Sequence, residues 1–213
     1  MRRTRIKFCG MTRLDDVRCA VDLGVDAIGM IFVPGSKRAI DLPLAARLAQ
    51  AIPPLVTRVA LFLNPEAAAV QAVLREVPLD LLQFHGSESP DFCASFERPY
   101  VKALAMGDDV DVGFEMSRYA RARGVLLDAH RSGEQGGRGE AFDWSRIPAQ
   151  WAPRILLAGG LRPDTVAHAI RTVRPFAVDV SSGIESAPGV KSERLMQHFV
   201  AEVERASRES GPA

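Results

Sequence analysis

A chain of 213 residues, 47% of them hydrophobic and 25% charged, can bury a full core and is expected to form one domain over residues 1–213. Its formal net charge of +1 gives no global pull toward nucleic acid or an anionic membrane, so any affinity for anions has to be local. Apolar runs such as Val125 to Leu127 and Ile155 to Ala158 fall far short of the roughly 20 residues that cross a bilayer.

Ile6 to Cys9 is too short and too soon interrupted for a signal-peptide core, so the mature chain is read as starting at Met1. Cys9, Cys19 and Cys93 are odd in number and far apart, with no C-x-x-C pair. No zinc site or disulfide framework is expected, and a reducing, cytoplasmic setting fits best. Cys19 and Cys93 read as small apolar filler.

In chain order, Arg5 to Cys9 reads as a strand, with Arg5, Lys7 and Cys9 on one face and Ile6 and Phe8 on the other. Leu14, Val17 and Val21 recur at helical spacing, and Gly24 stops that helix. Asp26 to Phe32 is a strand, Pro34 to Asp41 a polar loop holding Arg38, and Pro43 to Ala51 a helix. After the strand Arg58 to Leu63, Asn64 and Pro65 read as the cap of a helix to about Val77, with Val70, Val73 and Leu74 buried. Leu79 to Phe84 is a strand ending in His85 and Gly86. Ser89 and Pro90 open a short helix through Phe96, and Tyr100 to Leu104 is the next strand.

Asp108 to Ala122 reads as a helix with a weak apolar pattern, followed by the strand Gly124 to Asp128. Ser132 to Glu140 is glycine-rich and charged, and the loop Ser132 to Gly139 is expected to be mobile and to close over substrate. Arg154 to Ala158 is a strand leading into Gly159 and Gly160, and Pro163 to Val173 is a helix. Phe176 to Val180 is the last strand, followed by Ser181, Ser182, Gly183 and a closing helix that buries Leu195, Phe199, Val200 and Val203. About eight alternations of strand and helix predict an α/β fold, a closed (β/α)8 TIM barrel. A doubly wound open sheet is the alternative, but its glycine fingerprint is missing after the first strand, where Gly10 stands alone.

The strand ends carry the candidate chemistry. Gly159, Gly160, Ser182 and Gly183 follow strands seven and eight, where barrels of this kind bind phosphate through backbone N–H groups, and Ser181 or Ser182 can add a hydroxyl. By alternation Asp128, Asp179 and Lys7 point inward, and a buried carboxylate needs a partner or a proton. Lys7 and Asp179 are expected to pair beneath the reaction centre, in a role as readily structural as functional. Lys7 is also expected to favour the Cys9 thiolate. A thiolate facing the Asp128 acid across a phosphate-anchored sugar suits isomerisation by proton transfer, which requires no metal or organic cofactor. His85 either touches substrate or ends its strand. His130 reads as a loop residue, His168 and His198 as helix-surface or packing residues, and Arg38 as a carboxylate ligand.

Taken together, these pieces resemble the phosphoribosylanthranilate isomerase family. The matching stretches are Lys7 to Thr12, Phe62-Leu63-Asn64, Gln83 to Gly86, Leu127-Asp128, Gly137-Arg138-Gly139 with Phe142-Asp143-Trp144, Ala158 to Leu161, and Val178 to Glu185. The resemblance implies a (β/α)8 barrel of the tryptophan pathway acting on a small phosphorylated sugar-anthranilate by an Amadori rearrangement, with no obligate protein partner. It implies that Cys9 is the general base and Asp128 the general acid. Gly160, Ser181, Ser182 and Gly183 would hold the phosphate, and Arg38 would lie near the anthranilate. Phe8, Phe84 and Arg138 depart from the family pattern, at positions of packing and of the glycine-rich loop. An aminoimidazole carboxamide ribotide isomerase would carry aspartate in place of Cys9. A catalytically idle sensor of a phosphorylated metabolite would bind without turnover.

Overall fold

The computed structural model describes residues 3–107, 110–129 and 143–209. Eight parallel strands close into a barrel in chain order: β1 (Arg5–Cys9), β2 (Ala27–Ile31), β3 (Thr57–Phe62), β4 (Leu81–Phe84), β5 (Tyr100–Ala105), β6 (Gly124–Asp128), β7 (Ile155–Leu157) and β8 (Ala177–Val180). The ring shuts where β1 pairs with β8, with Lys7 opposite Asp179. Helices α1 (Leu14–Asp22), α2 (Leu42–Gln50), α3 (Ala67–Glu76), α4 (Pro90–Ala94), α5 (Val112–Arg118), α6 (Val166–Val173) and α7 (Glu193–Glu209) follow the strands. A small antiparallel hairpin, β9 (Glu185–Ala187) with β10 (Val190–Lys191), lies between β8 and α7.

Period-two alternation sorts the strand residues as the sequence predicts. Ile6, Phe8, Val125, Leu127, Val178 and Val180 face outward into the core shared with the helices. Val101, Ala103, Leu126, Leu156, Ala158 and Ala177 fill the interior of the ring. Phe8 and Phe84 are both absorbed by this outer core. Phe8 meets Phe199 of α7 edge-on at 5.9 Å, and Phe84 sits among Phe62, Phe92, Phe96 and Tyr100.

Several elements differ from the sequence reading. Between β6 and β7, where the sequence reading named no helix, the described residues form two 3-10 turns, Trp144–Arg146 and Ala149–Arg154. Pro148 precedes the second turn and Pro153 lies inside it, so the donors an α-helix needs are missing. Asn64 is no helix cap. It takes a left-handed φ of 46° and its side chain accepts from Ser87 N, while α3 begins after Glu66. Helix α5 starts at Val112, because the Asp111 side chain accepts from Phe114 N and caps it there; residues 108 and 109 lie outside the described residues. Helix α6 starts at Val166 because residues 162–165 form a turn closed by Thr165 N to Arg162 O. Cys93 is buried as expected, whereas Cys19, Leu74 and Leu195 are only half-buried.

A cavity of about 330 Å³ opens at the amino-terminal end of the ring, lined in part by Arg5, Leu81, Val101, Arg123 and Phe176. It holds none of the candidate acid, base or phosphate groups, which gather at the other end. Among the described residues no helix is long and apolar enough to cross a membrane, and no group of three or more His, Cys, Asp or Glu could hold a metal ion.

Candidate active site

Cys9 is the last residue of β1 and is 3% exposed. Its register partner on β2 is Gly29, and a Cβ there would come within 2.8 Å of the Cys9 sulfur and 3.2 Å of the Lys7 nitrogen. Only glycine at that position leaves room for both groups. The chain then turns at Gly10, where φ is +73° and any side chain would strike Arg38.

Beneath the thiol, Lys7 Nζ donates to Asp179 Oδ1 at 2.7 Å, with both side chains almost wholly buried. Burial alone would lower the Lys7 ammonium, but Asp179 and Cys9 outweigh it and hold it above its ordinary value. The expected thiolate at Cys9 is not what this environment favours. Burial pushes the thiol up, Lys7 pulls it down, and Asp179 cancels part of that pull, so the free site holds Cys9 in the protonated form.

Asp128 ends β6, three strands from β1 around the ring, on the same inward face as Leu126. His85, just beyond β4, directs Nε2 at Asp128 Oδ2 at 3.3 Å, and Gln83 Nε2 lies 3.2 Å from His85 Nδ1. With the Gln83 amide nitrogen donating to Nδ1, the imidazole proton sits on Nε2 and faces the carboxylate. His85 is thus a partner of the candidate acid, a contact that neither of the two roles read from the sequence, touching substrate or ending the strand, had named.

At the ends of β7 and β8, Gly159 and Gly160 both adopt positive φ, +81° and +69°. A Cβ at Gly183 would lie 1.9 Å from Leu161 O, so the turns after β7 and β8 are packed backbone to backbone, and one at Gly159 would lie 2.3 Å from Ala129 N, just past β6. Ser181 precedes a single 3-10 turn, Ser182–Ile184. Arg38 leans over Gly10 and grips Glu185 through Nε at 2.7 Å and Nη2 at 2.6 Å. The carboxylate that Arg38 holds is therefore the protein's own.

Lys191, fully buried, donates to the same carboxylate at 2.8 Å and to Ser181 O at 3.0 Å. Burial would raise the Glu185 carboxyl, yet hydrogen bonds from Arg38 and Lys191 hold it below its ordinary value. Burial lowers the Lys191 ammonium, with Glu185 opposing. Gly29, Gln83, Glu185 and Lys191 escaped the sequence reading as site residues. Glu185 and Gln83 stood inside the family-like stretches, which was the signal available. His168 packs against Trp144 and His198 is exposed on α7. His130, the Ser132 to Glu140 segment with Gly137-Arg138-Gly139, and Phe142 lie outside the described residues.

The family model for N-(5'-phosphoribosyl)anthranilate isomerase matches residues 6–202. The chain belongs to the phosphoribosylanthranilate isomerase family. A Chromohalobacter salexigens member is 52% identical over 203 residues, covering 95% of each chain, and one from Hahella chejuensis is 49% identical, covering 96% of each. Among solved structures, phosphoribosylanthranilate isomerase from Thermotoga maritima superposes with a TM-score of 0.82 at 38% identity, over 95% of this chain and 99% of that one. A second crystal structure of such an isomerase, in complex with reduced 1-(o-carboxyphenylamino)-1-deoxyribulose 5-phosphate, gives 0.80 at 34% identity, with the same coverage. Membership in the phosphoribosylanthranilate isomerase family makes this chain an isomerase of tryptophan biosynthesis on a TIM barrel.

Proposed function

We propose that this barrel, acting as one domain over residues 1–213, converts N-(5-phosphoribosyl)anthranilate to 1-(2-carboxyphenylamino)-1-deoxyribulose 5-phosphate, with Cys9 as general base and Asp128 as general acid. The observation that carries the assignment is the placement of both groups on inward faces at the carboxyl ends of β1 and β6 of one closed ring. In the first step the acid protonates the furanose ring oxygen. The C1–O bond breaks, and the amine lone pair forms the C1=N iminium. The Cys9 sulfur, as the thiolate once its own proton has passed to solvent, then takes the C2 proton; the C2–H electron pair closes C1=C2 and the C1=N pair returns to nitrogen, giving an enolamine. The enolamine becomes the ketone by gaining a proton at C1 and losing the enol proton to solvent, and no electron acceptor is needed.

Lys7 and Lys191 both pull the Cys9 thiol down, so they offset part of the burial cost of the thiolate that the base step requires. Gly159, Gly160, Ser181, Ser182 and Gly183 are assigned to the phosphate. What supports this is that the turn after β8 packs against the turn after β7 at Gly183 and Leu161, so these residues adjoin. Arg38 is assigned to the anthranilate carboxylate and would exchange Glu185 for substrate. A cytoplasmic setting and a small-molecule substrate without a nucleic-acid or membrane partner complete the reading.

The test is loss of anthranilate fluorescence as substrate is consumed. Cys9→Ala and Asp128→Asn are each expected to lower kcat by about a hundredfold or more, the scale of a lost acid or base, while affinity for a phosphate ligand survives. Near-normal turnover in either variant overturns its assignment. Binding with no turnover in the parent protein would favour a sensor.

A further inference from the structure

Lys102 is a cation in an unexpected place. It lies on the outer face of β5 between Tyr100 and Leu104, is 1% exposed, and plays no part in the proton transfers above. Its ammonium donates to the carbonyls of Phe84, Gly86 and Ala103 and lies 3.3 Å from the Glu88 carboxylate, itself buried. Glu88 accepts from Gly86 N at 2.9 Å and from Asn64 N at 2.8 Å. Its main-chain carbonyl takes the Tyr119 hydroxyl at 2.8 Å.

The residue enclosed by these bonds is His85. Lys102 holds the carbonyls on either side of it, Glu88 holds the next amide, and His85 N donates to Phe62 O at 2.8 Å. The backbone at Gly86 lies so close to Asn64 that no side chain fits there: a Cβ would fall 2.2 Å from Asn64 Oδ1. A buried ion pair is weak support for stability, because removing two charges from water costs as much as their attraction returns. Its use is better sought in geometry. We propose that Lys102 and Glu88 are positioning residues of the isomerase reaction, an outer clamp on the end of β4 that aims the His85 imidazole at the Asp128 carboxyl.

This proposal rests on the reading of Asp128 as the acid. An imidazole set by its backbone on one side and by Gln83 on the other fixes one rotamer of that carboxyl, and an error of about 1 Å in such a group can cost up to about a hundredfold in rate. The clamp acts from outside the barrel and touches no substrate, so its loss should appear in kcat and leave KM unchanged.

The experiment is a double-mutant cycle between Lys102→Met and His85→Ala, read by fluorescence turnover on proteins whose fold is checked by circular dichroism. Lys102→Met alone is expected to lower kcat about tenfold with KM within about twofold. In the His85→Ala background it is expected to lower kcat no further. In the parent background the imidazole nitrogen resonances of His85 are expected to shift on Lys102→Met.

Equal loss from Lys102→Met in both backgrounds overturns the proposal, as does an unchanged kcat in folded Lys102→Met or in His85→Ala. If Lys102→Met does not fold, Glu88→Gln is carried through the same cycle under the same criteria. Failure of the acid assignment is separable, because it appears as near-full turnover in Asp128→Asn whatever the Lys102–His85 coupling.

Discussion

At the scale of single residues, the thiol and the two cations that pull it down define the chemistry. Burial is the largest influence on Cys9 and pushes its thiol up; Lys7 pulls it down, but Lys7 is paired with Asp179 at 2.7 Å, whose charge opposes that pull. The thiolate signal in ultraviolet absorbance, measured as parent minus Cys9→Ser, is therefore expected to be absent at neutral pH in the unliganded protein. It should grow only above pH 9.0, the ordinary value for the group. A signal already complete at neutral pH would contradict this account. Alternation along β1 and β8 made the Lys7–Asp179 pair legible from the sequence, because a closed ring brings the first and last strands together. Gly29 was not legible in this way, since a glycine in mid-strand gives no sign of which neighbour needs its space.

At the scale of elements, the hairpin β9–β10 binds the mouth of the barrel to its surroundings. Glu185 of β9 takes Arg38 from the β2 loop and Lys191 from β10, and Lys191 N donates to Asp16 of α1 at 3.0 Å. Because the folded Glu185 carboxyl lies below its ordinary value of 4.5, its contribution to stability is complete above that value and disappears as pH falls through the folded one. Glu185→Gln is expected to lower Tm near neutrality and to narrow the gap from parent as melts are run into acid. A constant gap across that range would refute the linkage. Strands and most helices could be read from periodicity, but the buried charges at Lys102, Glu88 and Lys191 could not. Each is satisfied by a group distant in the chain or by main-chain carbonyls, and composition carries no trace of such pairings. The two 3-10 turns before β7, the second with Pro153 inside it, were likewise not marked by any periodic pattern.

At the scale of the whole molecule, α7 packs Phe199 against Phe8 of β1, so the last helix bears on the first strand. Phe199→Ala is expected to cost about 3–5 kcal/mol in denaturant unfolding, the usual range for a buried phenylalanine, with the fold retained. A loss under about 1 kcal/mol would mean that α7 does not hold the closure. The ring's closing contact has a further meaning for synthesis. Lys7 and Asp179 are 172 positions apart, so the lysine beside the thiol leaves the ribosome long before its carboxylate is made. Until β8 is made, the lysine beside the thiol lacks the carboxylate that it holds in the closed ring.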